Sequence, residues 1–189
     1  MKKLKNKAGF TLMELLLAMM IMVLLIGGIG VGMDAGTRIY REATFESDSA
    51  ALAGILNTNI GDILRYSTDV RTNPGTFQDA EGNYLNASQL GFVFTSLEYG
   101  VQDGYFHIPA SGYLQLKNLY NPYAIDLVNI GAYPDLTVSD FRITYAPAGS
   151  QMDGSAGRGG YFNISYTIHS NSNTAHTRQV ETVVRLINE

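Results

Sequence analysis

The sequence predicts an α+β chain: one long N-terminal helix, membrane-spanning in its first half and amphipathic in its second, packed on a C-terminal antiparallel β-sheet head. Three features point there. Residues 10–33 carry a single charged side chain, Glu14. Phe45, Leu52, Leu56, Ile60 and Ile63 then recur at sevens, fours and threes, the spacing of one helix face. From Phe141 onward apolar and polar residues alternate with period two, the mark of half-buried strands. The chain divides accordingly into a basic leader (1–9), an apolar helix (10–33), an amphipathic continuation (34–72) and a β-rich head (73–189).

The leader holds Lys2, Lys3, Lys5 and Lys7 and no acid, which the positive-inside tendency keeps in the cytoplasm and so places the body outside. The 24 residues that follow span roughly 36 Å as a helix, enough to cross a hydrocarbon core of ~30 Å. Without the four leader lysines the chain keeps nine basic and 17 acidic residues, a net charge of −8, which makes a poor nucleic-acid binder. Gly27, Gly28, Gly30, Gly32, Ala35 and Gly36 also offer small residues where a secretory signal would be cut. Glu14 weighs against a disposable segment, because an acid in an apolar helix costs insertion energy.

A carboxylate one turn into a helix is favoured by the macrodipole, usually by less than its burial in lipid costs. Glu14 therefore either finds a cation or snorkels to the headgroups. Further along, Gly28 and Gly32 form the small-xxx-small spacing that lets membrane helices approach closely, in a stretch that glycine also weakens as a helix.

The amphipathic helix is expected to run to about Tyr66, before a turn at Asn73-Pro74-Gly75. Its apolar stripe needs a cover. Phe141, Ile143 and Tyr145; Phe162, Ile164, Tyr166 and Ile168; and Val180, Val184 and Leu186 supply it as three late strands. Residues 149–160 and 170–177 connect them, and runs at 91–95, 105–108, 113–117 and 124–129 add shorter strands.

Zero cysteines exclude disulfides, thiolate metal sites and thiol nucleophiles. No nucleophile elbow, P-loop or zinc-protease motif is present, and no catalytic constellation, cofactor site or metal site is expected. His169 and His176 lack a third ligand, and Asp79, Glu81 and Asn83 fall short of a calcium loop. Asn86 and Asn163 open glycosylation sequons, a pattern that short sequences also meet by chance.

The string Lys7-Ala8-Gly9-Phe10-Thr11-Leu12-Met13-Glu14-Leu15-Leu16-Leu17 resembles the leader junction of type IV pilins and of type II secretion pseudopilins. The resemblance covers about the first 30 residues and is architectural beyond residue 40. It implies cleavage after Gly9 by a membrane prepilin peptidase, N-methylation of the new terminus at Phe10, and a registering ion pair between Glu14 and the Phe10 amine of a neighbouring subunit. It also implies other pilin-like subunits, an inner-membrane assembly platform and its ATPase as partners. The subunit would sit in the cytoplasmic membrane, single-pass with its head outside, and then in a pilus, secretion or DNA-uptake filament at the cell surface or in the periplasm. The chain departs from many relatives in having no proline in the helix and no cysteine pair to close a C-terminal loop, which leaves a pseudopilin, a minor pilin or a Gram-positive pilin. The rival from the residues themselves is a permanently membrane-anchored extracytoplasmic binding module that never polymerises.

Overall fold

A computed structural model describes residues 11–71, 77–78, 84–85, 92–146, 151–152, 155–156 and 160–187. Gly9 and Phe10, the Asn73-Pro74-Gly75 turn, the segment from Asp79 to Asn83 and the Asn86 sequon lie outside the described residues. Helix α1 runs Leu12–Arg65, and the chain forms two compact units, Met1–Thr44 and Phe45–Glu189. In the first unit residues 12–44 are helical, and every described side chain is exposed.

The second unit begins with the last two-fifths of α1. Phe45, Leu52, Leu56, Ile60 and Ile63 are all buried there, joined by Ala53 and Leu64, so the stripe read from spacing is the core face of the helix. The helix stops at Arg65 because its last carbonyls find other donors. Ser67 gives Leu64 O both its backbone N–H (3.1 Å) and its hydroxyl (2.8 Å), and the Ile187 N–H reaches Arg65 O (3.0 Å). A strand the periodicity does not signal, β1 (Thr68–Arg71), follows at once.

The cover is two sheets rather than one. Strands β1, β4 (Val93–Ser96), β5 (Val101–His107), β6 (Gln115–Asn118) and β7 (Asn121–Asp126) form an antiparallel sheet in the order β1-β4-β5-β6-β7. The other sheet has the order β12-β11-β8, built from β8 (Leu136–Ala146), β11 (Tyr161–Ser170) and β12 (Thr177–Arg185). Its three strands are those read from the late alternation. Two short hairpins, β2 (Phe77–Gln78) with β3 (Tyr84–Leu85) and β9 (Gln151–Met152) with β10 (Ser155–Ala156), complete the described strands. The second of these hairpins lies inside the expected 149–160 connection.

A run of aromatic contacts joins the sheets under the helix. Phe92 packs on Phe94 and on Phe162, with ring centroids 5.8 and 5.0 Å apart, and Phe94 meets Phe106 at 5.4 Å. Phe106 then meets Phe141 edge-on at 5.8 Å. Rings at such distances add to burial through their quadrupoles.

Strand β8 carries a phase slip. Leu136 and Val138 face the core before it, Phe141, Ile143 and Tyr145 pack against the core after it, and the register with β11 shifts between Ser165 and Thr167. Asp140 absorbs the extra residue with φ 52°. The other non-glycine residues with positive φ, among those described, are Asp69 and Asp103, on strands whose pairing also shifts. Asp tolerates this backbone region better than most residues because its short side chain bonds locally. Arg71 bridges these two acids, with Nε 3.6 Å from Asp69 and a direct ion pair to the buried Asp103.

Candidate functional site

The chemistry-bearing end of the chain is the start of α1. Thr11 is the N-cap and Glu14 the third helical residue. The backbone N–H and the hydroxyl of Thr11 both donate to Glu14 Oε2 at 3.0 Å, and the Glu14 N–H donates back to Thr11 Oγ1 at 3.3 Å. This is a capping box, in which two side chains satisfy donors that a helix start leaves free. The spacing Thr11-x-x-Glu14 ahead of an apolar run signals it in the sequence, and the reading above, which gave Glu14 a cation or the headgroups, missed it. Glu14 thus has a local partner within its own chain. Phe10, its expected partner from a neighbour, and Gly9 lie outside the described residues.

Beyond the cap, the helix presents apolar side chains all round. Leu12 is 79% exposed, Leu25 61% and Met33 71%, and none of the apolar stretch is buried within the chain. Met13, Leu16, Leu17 and Met20, at helical spacing, line one apolar hollow along it. So large a contiguous apolar surface is not left in water by a soluble protein. Length and composition suit a membrane span. Gly28 and Gly32 have nothing within 4 Å where a side chain would stand, which leaves the surface open to close approach by another helix.

In the head, His169 and His176 do not come together as ligands. His169 Nε2 is hydrogen-bonded to the Ser139 hydroxyl, whereas His176 bonds Asn173 at 3.2 Å and stacks on Phe45 at 5.2 Å. Among the described residues no group of three His, Asp or Glu is placed to hold a metal ion. Ser139 also donates to Asp140 Oδ2 at 2.9 Å, so a serine, a histidine and an aspartate meet here. Their order is wrong for a hydrolytic triad, which needs the histidine between the other two. Here the serine is in the middle.

Asp135 anchors the β11–β12 turn. Its Oδ2 accepts from the hydroxyls of Ser170 and Ser172, each at 2.8 Å. Partial burial works to raise its pKa, but these hydroxyls, a backbone N–H of Ser172 and the nearby His176 hold it below the usual carboxylate value. The arrangement shapes a turn, with both hydroxyl bonds falling on one carboxylate oxygen.

Residues 4–30 match the family model described as the prokaryotic N-terminal methylation motif. The match supports a type IV pilin-like family for the chain, and a pilin-like precursor as the form in which it is made. No curated protein and no solved structure matches the chain.

Proposed function

We propose that this chain is a structural subunit, a pilin, minor pilin or pseudopilin, which is cleaved after Gly9, methylated at Phe10 and assembled through its N-terminal helix into a type IV pilus, type II secretion or DNA-uptake filament. The observation that carries the reading is an apolar helix start with a capped acid at Glu14, inside residues that match the methylation motif. Before assembly the helix sits in the cytoplasmic membrane with the head outside. In the filament, neighbouring helices replace lipid around the same apolar surface, and that exchange costs little because lipid tails are as apolar as the side chains. Partners are the prepilin peptidase and methyltransferase, other pilin-like subunits, and the assembly platform with its ATPase.

Glu14 then has two successive tasks. In the single subunit its carboxylate closes the helix start, which lowers the cost of keeping polar groups in lipid. In the filament the same charge attracts the Phe10 amine of a neighbour, and only one axial offset brings the two together. Mass spectrometry of the mature amino terminus tests the reading. N-methyl-Phe10 is expected, and a bulky residue in place of Gly9 should leave the full-length mass. An intact Met1 on the membrane-inserted protein would instead make the chain a permanent anchor.

A further inference from the structure

The outer face of the β12-β11-β8 sheet carries an unpaired charge on each flank of a single rung. Ser165 on β11 registers with Arg142 on β8 and with Glu181 on β12, so the three residues form one line across the sheet. Adjacent strands lie about 4.8 Å apart, which separates the Arg142 and Glu181 backbones by about 10 Å. Both side chains are exposed, and neither has an ion-pair or hydrogen-bond partner among the described residues. They wall an open groove whose floor is the small side chain of Ser165, with a volume of about 580 Å³ and a second hollow of about 270 Å³ continuing along β11. A small-molecule site encloses most of its ligand. This groove is open along its length, which suits a second surface.

We infer that this face is a self-association surface, on which two copies of the chain pair about a two-fold axis parallel to β11 that passes over Ser165. The charges select that axis. A two-fold along β11 exchanges the flanks of the rung, so Arg142 of each copy lies over Glu181 of the other. The alternative axis in the same plane, along the rung, would stack Arg142 on Arg142 and Glu181 on Glu181, and like charges held face to face oppose association. The neighbouring rungs agree. Asn163 registers with Thr144 and with Val183, and the chosen axis brings Asn163 against Asn163, whose amides can both donate and accept. Gln179, which registers with Thr167, would come near Asp140, so no like-charged pair is created.

The face is polar, with little apolar area to drive association, so the pairing is weak between free molecules. The inference therefore rests on the membrane reading above, because confinement of α1 to one membrane raises the effective concentration of heads. The chain has no cysteine, so one introduced thiol reports its own neighbours. Full-length Ser165→Cys, in native membranes, is treated with a short bis-maleimide, with Gln102→Cys on β5 as the control.

A covalent dimer is expected from Ser165→Cys and not from Gln102→Cys. Adding Arg142→Glu or Glu181→Arg alone should lower its yield at least about fivefold, and the exchange Arg142→Glu with Glu181→Arg should restore it. Restoration by the exchange also shows that neither single change acts by unfolding the head. No dimer from Ser165→Cys, or a yield indifferent to either charge, overturns the two-fold pairing. Membrane fractionation and the mature amino terminus are read on the same samples. A processed membrane protein without the dimer leaves the filament reading standing, and a dimer formed by an unprocessed chain removes the filament reading alone.

Discussion

The Tyr166 hydroxyl donates to Asn57 Oδ1 at 3.0 Å and lies 3.3 Å from the Ala53 carbonyl. One phenol on the central strand of the β12-β11-β8 sheet thus fixes the rotation of α1 within the head. Tyr166 is otherwise buried, with its ring 6.4 Å from that of Phe141. Burial pushes its pKa above the ordinary tyrosine value, against a smaller opposing effect of Arg178.

The sign of the resulting pH dependence follows from linkage. A phenol whose folded pKa is raised stabilises the fold fully below the unfolded value of about 10, and that contribution is lost as pH rises above it. Tyr166→Phe should cost about 1 kcal/mol at neutral pH and flatten the fall in stability above pH 10. Denaturant titrations of the detergent-held chain at neutral and alkaline pH measure both; an unchanged alkaline slope would assign it to other tyrosines.

Leu56 is 1% exposed in the middle of the helix stripe. Leu56→Asp removes that burial and adds an unpaired charge, a loss of several kcal/mol against a typical stability of ~5 to 15 kcal/mol. Loss of the near-ultraviolet tyrosine dichroism of the head, with the protein still in the membrane fraction, is the expected result. A cooperative transition at the wild-type temperature would refute the packing assigned to this face.

Glu14 separates capping from charge through two substitutions. Gln serves as well as Glu in a capping box, so Glu14→Gln keeps the helix start and loses only the charge, whereas Glu14→Leu loses both. If the carboxylate registers subunits, both variants stay in the membrane and both enter sheared filaments poorly when they are the only copy. Immunoblots of sheared and membrane fractions decide it, with Thr11→Ser as a control that preserves the box. Wild-type incorporation of Glu14→Gln would reduce the residue to a cap.

Asp140 holds the β8 bulge at φ 52°. Asp140→Gly fits that backbone and gives up only the bond from Ser139, so its melting temperature should stay close to wild type. Asp140→Val forces a β-branched side chain into the left-handed region, at a cost of about 1 to 2 kcal/mol. Equal melting temperatures for the two variants would show that the bulge relaxes.

Features that depend on neighbours a few residues away are legible in the chain as written. The buried stripe from Phe45 to Ile63 and the alternation from Phe162 to Ile168 are both local periodicities, and both elements form where the spacing puts them. The capping box is local as well, and was legible in Thr11-x-x-Glu14. The phase slip is legible in part, since Leu136 and Val138 alternate out of step with Phe141, Ile143 and Tyr145. Which residue takes up the slip is not, because that depends on the register β11 imposes.

Long-range pairing, by contrast, is what gives the head two sheets, sets β1 directly after the helix and brings Arg71 to the buried Asp103. The same pairing puts Arg142 and Glu181 on one rung through Ser165. Strand partners are chosen by burial and hydrogen bonding between segments far apart in the chain, and a strand's own alternation gives the face it buries but not the strand it will lie beside.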